Sequence, residues 1–160
     1  MGAAEVVIRE ATGADVVRIV ELWEEFMDFH AALDPYFTRS ADAAENFAKH
    51  AAEQIASETA TVLVAEASQG LVGFCVARVS ERPPVFEIAE FGSIDALAVT
   101  ERWRRKGVGE QLFGAAKRWF AERGIARIEV GVVTANELSS SFWREMGFRP
   151  YFQKLCLRIE

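Results

Sequence analysis

The chain has 160 residues, 51% of them hydrophobic and 26% charged. That composition excludes a disordered tail and predicts one compact domain over residues 1–160. Its 18 Lys and Arg against 24 Asp and Glu leave a formal net charge of −6, which argues against a nucleic-acid partner and suits either simple solubility or a cationic one.

Glu5–Glu10 alternates around Val6 and Ile8 and predicts a strand. After the break at Ala11-Thr12-Gly13, Val16, Ile19, Val20, Trp23, Phe26 and Met27 recur at helical spacing, and Asp34-Pro35 ends that helix. A second helix is predicted over about 41–57, with Phe47, Ala51 and Ile55 on one face. Thr61–Ala67 and Leu71–Val79 read as a strand pair around the turn Ser68-Gln69-Gly70. Beyond the Pro83-Pro84 loop come a strand at Ile94–Val99 and a helix from Val108 that ends at Arg123-Gly124, a cation followed by the glycine that favours a helix stop. A strand at Ile125–Val133, a helix at Glu137–Glu145 and a strand at Phe148–Ile159 complete the chain. The order β-α-α-β-β-β-α-β-α-β predicts an α/β (α+β) fold with helices on the faces of a mixed sheet.

No apolar run approaches the roughly 20 residues of a membrane span, so no membrane partner is expected. The N-terminus lacks the basic and apolar regions of an export signal, and Gly2 is not followed by the pattern for myristoylation. Cys75 and Cys156 lie far apart in apolar stretches, and His30 and His50 are isolated. Reduced thiols, a cytoplasmic location and no metal are therefore expected.

The segment IDALAVTERWRRKGVGE, Ile94–Glu110, carries the chemistry. A strand runs into a turn that gathers Arg102, Arg104, Arg105 and Lys106, then Gly107-Val108-Gly109 opens a helix. Glycines let backbone N–H groups approach oxygens closely, and a helix N-terminus adds unpaired donors and a positive dipole end. Cations at that end oppose the dipole, so the turn is either a solvated basic cap or a site whose bound polyphosphate removes the conflict. Neither GxxxxGK[ST] nor GxGxxG is present.

The spacing Arg104-x-x-Gly107-x-Gly109 after Leu97-Ala98-Val99 resembles the [Q/R]-x-x-G-x-[G/A] turn of the GNAT superfamily of N-acetyltransferases. Asn136 followed by Phe142-Trp143-Arg144-Glu145-Met146-Gly147-Phe148, IREAT-x-x-D at Ile8–Asp15, and VLVAEASQGLVGF at Val62–Phe74 extend the resemblance over nearly the whole chain. It implies a mostly antiparallel mixed sheet of six to seven strands, splayed between the fourth and fifth and flanked by about four helices. It also implies acetyl-CoA as co-substrate. Leu97, Ala98 and Val99 would pair with the pantetheine arm as an added strand would, and Arg105, Lys106, Gly107, Val108, Gly109 and Glu110 would hold the pyrophosphate. The resemblance also lets the side chains of Arg104, Arg105 and Lys106 meet the nucleotide 3′-phosphate. Asn136 would bind the arm, cap the last helix, or do both.

The activity implied is transfer of an acetyl group to a primary amine of a small molecule or peptide, by direct attack. An amine of pKa near 10.4 is neutral only about once in 10^3.4 at pH 7, a deficit of roughly 4.6 kcal/mol, so a group that removes a proton is valuable. Asp95, two residues before Leu97 and expected on its face of the strand, is the first choice of base or of ammonium binder. Glu90 and Glu129 are alternatives. The family's usual proton-donating tyrosine is replaced by Trp143, which has no proton to give in this range. Water, Tyr151 or Ser141 would then protonate the departing thiolate, or no donor is needed, and Trp143 would lie in the core or against the arm. The same departure motivates a second reading, an acyl-CoA-binding sensor without catalysis.

The acceptor site is expected between His30–Ser40 and the Ser80–Phe91 loop. Tyr36, Phe37 and Phe86 would wall it, with Asp34, Glu81, Glu87 and Glu90 attracting a cation. The apolar last strand also offers an edge for a homodimer.

Overall fold

The computed structural model describes residues 5–160; the Gly2 reading lies outside them. Five strands, β1 (Val7–Glu10), β2 (Ala60–Ala67), β3 (Gly70–Glu81), β4 (Glu90–Val99) and β5 (Ile128–Val130), form one mixed sheet in chain order. The first four are antiparallel to their neighbours, and β5 runs parallel to β4. Helices α1 (Val16–Leu33) and α2 (Ala43–Ala56) precede β2, α3 (Val108–Glu122) joins β4 to β5, and α4 (Glu137–Glu145) follows.

Strands β2 and β3 read as nearly unbroken apolar runs because both faces of the sheet are covered. Val62, Val64, Phe74 and Val76 pack with Ile19 and Leu22 of α1. Leu63, Ala65, Cys75 and Ala77 pack with Leu112, Phe113, Ala116 and Phe120 of α3. Burying a side chain such as Phe74 or Phe120 stabilises the fold by about 1.5–3 kcal/mol. No described helix is long and apolar enough to cross a membrane.

Two features of β4 shape the site. Its pairing with β5 is confined to Gly92↔Ile128, Ser93↔Glu129 and Ile94↔Val130, so from Asp95 to Val99 one edge of β4 has no strand beside it. At the same place the register with β3 slips: Ala77 opposes Ile94 and Val76 opposes Ala96, leaving Asp95 as the extra residue of a bulge. The bulge breaks the alternation that would put Asp95 on the face of Leu97. Ile94, Leu97 and Val99 share the α3 side, and Ala96 and Ala98 the α1 side.

The sheet therefore has five strands rather than six to seven. The strand expected over Phe148–Ile159 does not form: residues 148–160 make no ladder, and Leu155, Leu157 and Ile159 are 81%, 87% and 88% exposed. Its alternation is that of a strand, but periodicity supplies no partner. The start of the tail lies against β5, where the Tyr151 hydroxyl donates to Glu129 and the guanidinium of Arg127, just before β5, lies 4.5 Å from the Tyr151 ring centre. The strand expected at Ile125–Val133 shortens to β5 because the sheet opens beyond Val130.

The N-terminal corner is held by Arg9, which donates to both oxygens of Asp15 at 2.8 and 3.0 Å and to Glu66 at 2.7 Å. Hydrogen bonds from Arg9 outweigh the cost of burial and hold the Asp15 carboxyl at about 2, against 3.8 for a free side chain. A depressed pKa contributes stability above the unfolded value that is lost as pH falls through the folded one. Urea midpoints should therefore decline between pH 4 and pH 2 in the native chain, and Asp15→Asn should start less stable at pH 7 and show a shallower decline across that window.

Candidate active site

A groove of about 600 Å³ runs between α1, the end of β4, the start of α3 and α4. One wall is the free edge of β4 at Leu97, Ala98 and Val99, and the opposite wall is Asn136, Ser141, Phe142 and Trp143. A smaller cavity of about 60 Å³ lies beside it at Asp95 and the residues after β5. Phe26, His30, Leu97, Ser139 and Trp143 line both, so the two are neighbouring parts of one cleft.

The groove mouth is the turn before α3. Helix α3 has no side-chain cap, and its first turn-closing bond is Gln111 N–H to the Gly107 carbonyl at 3.1 Å. Within the described residues, the N–H groups of Gly107, Val108, Gly109 and Glu110 make no hydrogen bond to the protein. Four donors are thus available where the helix dipole is positive. Gly107 has φ +81°, and a Cβ there would enter open space within the mouth rather than strike protein. Gly109 serves a different need: a Cβ would come within 3.1 Å of the Phe142 ring, so its absence lets α4 close against α3.

The three cations of the turn are unlike one another. Arg104 is used by the fold: its Nε donates to the Val99 carbonyl at 3.0 Å and its guanidinium lies 3.5 Å from Glu25. Arg105, itself in the left-handed region at φ 58°, and Lys106, whose Nζ lies 5.3 Å from the Trp103 ring centre, form no ion pair among the described residues. Glu25 belongs to none of the motifs, yet it shapes the turn. It accepts from the Thr100 hydroxyl and the Glu101 N–H, both at 2.9 Å, and so buckles α1 to the turn. A signal for it exists in the sequence: Leu22, Phe26 and Phe29 form an apolar stripe on α1, and Glu25 interrupts it.

Asn136 is 5% exposed. Its Oδ1 accepts from Ser139 N–H at 3.0 Å, capping α4, while its Nδ2 lies 3.3 Å from His30 Nε2. Trp143 is buried among Phe113, Phe142 and Phe148, with ring centres 4.8–5.4 Å away, and still presents an edge to the groove. It is a core residue and a groove residue at once.

At the inner end, the Asp95 carboxylate receives Arg78 Nε on one oxygen and the Ser93 hydroxyl, at 3.0 Å, on the other. Glu129 sits on β5. Burial pushes its carboxyl up, but hydrogen bonds from Tyr151 and Arg127 outweigh that and keep it below the usual range, which makes it a weak proton acceptor. The Glu129 contact raises Tyr151 in turn, making it a poorer acid, and Tyr151 does not line the groove, whereas Ser141 does. Cys75, opposite Leu97, is fully buried. Burial and then the Asp95 charge push its thiol up to about 12, so no thiolate nucleophile is available there. Of the expected acceptor walls, Phe37 packs edge-on against His30 and Phe86 lies beneath the Arg82 guanidinium, 4.0 Å from it. Tyr36 is almost wholly exposed.

A sequence profile described as Acetyltransferase (GNAT) family matches residues 19–148. No curated protein matches significantly. Among solved structures, a tetramutant of the BH1408 protein from Bacillus halodurans superposes with a TM-score of 0.85 at 24% identity, over 96% of this chain and 99% of that one. A predicted acetyltransferase with acetyl-CoA from Clostridium acetobutylicum gives 0.78 at 15% identity, over 96% of each chain. The aminoglycoside 6′-N-acetyltransferase AAC(6′)-IG from Acinetobacter haemolyticus gives 0.76 at 17% identity, over 96% of this chain and 98% of that one. At these identities the superpositions speak for the fold, and the profile, spanning most of the sequence, speaks for descent: the chain belongs to the GNAT family of acetyltransferases.

Proposed function

We propose that this protein transfers the acetyl group of acetyl-CoA to a primary amine by direct attack while both substrates are bound. The observation that carries the reading is the set of four N–H groups at the start of α3, beside two cations, that have no protein partners among the described residues. Nothing within a fold gains from leaving a helix start uncapped between like charges, and a pyrophosphate satisfies both. Gly107 through Glu110 would hold it, with Arg105 and Lys106 at its flank. The pantetheine arm would lie along Leu97–Val99, where the β4 edge is unpaired, and against Asn136 and Trp143.

In the transfer, the amine nitrogen bonds to the thioester carbonyl carbon, the C–S bond breaks, the sulfur takes a proton and the nitrogen loses one. In this reading Asp95 would receive the amine proton, directly or through water. Its bonds from Arg78 and Ser93 fix the orientation of the carboxylate at the inner end of the cleft, which suits it to orient an ammonium. Ser141 or water serves the thiolate, whose pKa near 8.5 makes it a fair leaving group. The acceptor is cationic in this reading, since Glu81, Glu87 and Glu90 flank the β3–β4 loop and the whole chain is acidic. Aminoglycosides, polyamines and peptide N-termini belong in the panel. The sensor reading keeps one observation in its favour: Trp143, at the usual tyrosine position, is buried and has no acidic proton to give near neutral pH.

Free CoA at hundredfold excess over its Kd should stabilise the protein by about 2.7 kcal/mol, read as a rise in Tm. Gly107→Ala should abolish most of that rise. Gly124 is the control, since it has φ +72° and equally open space at the other end of α3. Gly124→Ala carries the same backbone strain but should keep the full CoA response. Equal CoA responses in the two variants would remove the cradle assignment.

With an amine panel, Asp95→Asn should lower kcat at neutral pH by about 10²-fold or more while CoA affinity stays near that of the wild type. Full CoA binding without turnover of any amine selects the sensor.

In this reading a homodimer would form by pairing the outer edge of β5, which has no strand beside it among the described residues, with the apolar segment 151–159 of a second copy about a two-fold axis. Light scattering should give twice the mass of one chain, and Leu157→Asp should return it to the monomer.

A further inference from the structure

His30 lies near the end of α1, 8% exposed, with the rings of Phe26, Phe29 and Phe37 around it at centre distances of 4.4, 5.9 and 5.9 Å. Its Nδ1 is 2.8 Å from the Phe26 carbonyl oxygen. A carbonyl only accepts, so Nδ1 carries the hydrogen and donates it. The neutral ring then presents a bare lone pair at Nε2, and the group facing that lone pair is Asn136 Nδ2, 3.3 Å away.

This arrangement settles the orientation of the Asn136 carboxamide twice. Its oxygen must face Ser139 N–H, which is 3.0 Å away, and its nitrogen must face His30. A flipped amide would set two acceptors against each other at His30 and two donors against each other at Ser139. An amide nitrogen carries two hydrogens, and His30 takes one. The second has no partner among the described residues, on a side chain that is 5% exposed and lines the groove. A buried donor without a partner is costly to leave so, and it marks where a ligand acceptor belongs.

We propose that His30 is a positioning residue. Its Nε2 lone pair holds the Asn136 carboxamide so that the second N–H faces into the groove, toward an amide carbonyl of the pantetheine arm. This rests on the CoA reading above. It also joins α1, on one face of the sheet, to α4 across the open side of β4 through one hydrogen bond.

The test is calorimetric titration of free CoA into the wild type, His30→Phe, His30→Gln, Asn136→Ser and the double variant His30→Phe/Asn136→Ser. Serine keeps an oxygen to cap α4 but has no amide N–H. Phenylalanine suits the aromatic surroundings and removes the lone pair; should it melt below the assay temperature, His30→Met replaces it. Glutamine can place an amide oxygen where Nε2 stood. Asn136→Ser should weaken CoA binding about fivefold, the scale of one hydrogen bond. His30→Phe should weaken it nearly as much, and the double variant should be no weaker than Asn136→Ser alone. His30→Gln should recover most of the affinity. The inference is overturned if His30→Phe binds CoA as the wild type does, if the two losses multiply in the double variant, or if His30→Gln is as weak as His30→Phe. Failure of the wild type to bind CoA would instead strike the site reading itself.

Discussion

The structure turns on where one ladder stops. Strands β4 and β5 run side by side for three residue pairs and then part, and a bulge in β4 falls at the first residue past the last pair. Backbone N–H and C=O groups demand partners, so an interior strand that loses its neighbour halfway leaves a defined set of donors and acceptors facing a gap. Every part of the candidate site is arranged around that gap. The uncapped start of α3 lies at one end, Asp95 at the other, and α1 and α4 close the sides.

The helices are fixed to the opening by polar contacts rather than by apolar packing alone. Glu25 ties α1 to Thr100, Glu101 and Arg104, and His30 meets Asn136 on α4. On α1 these two polar residues stand in an otherwise apolar stripe with Leu22, Phe26 and Phe29. Apolar contact allows sliding, whereas a hydrogen bond specifies a distance and a direction. The stripe therefore supplies the burial, and its two polar members set where the helix stands.

Much of this is legible in the residues. The helical stripes, the apolar runs of β2 and β3 and the glycine-punctuated turn after Val99 mark the elements within a few residues, because each is written locally. The bulge at Asp95 is not legible, since it is a relation between β3 and β4 and leaves no mark in the order of residues along β4. The last strand misleads for a related reason: Leu155, Leu157 and Ile159 alternate as a strand does, but pairing is decided by what lies alongside. Arg104 matches a family position for binding, and its position says nothing of Glu25, 79 residues earlier, which engages its guanidinium in the structure. The cap formed by Asn136 is readable from Glu137 onward; its other bond, to His30, spans 106 residues.

With Arg104 turned to Glu25, the turn would meet a polyanion of the proposed kind with two kinds of attraction. Arg105 and Lys106 are exposed, and their pull fades over a screening length of about 8 Å at physiological ionic strength. The N–H groups of Gly107 to Glu110 act by contact and carry no mobile counterions. On the proposed reading, added salt would strip away the long-range part and leave the short-range part standing, so that speed of capture and tightness of grip would be governed by different atoms of the same turn.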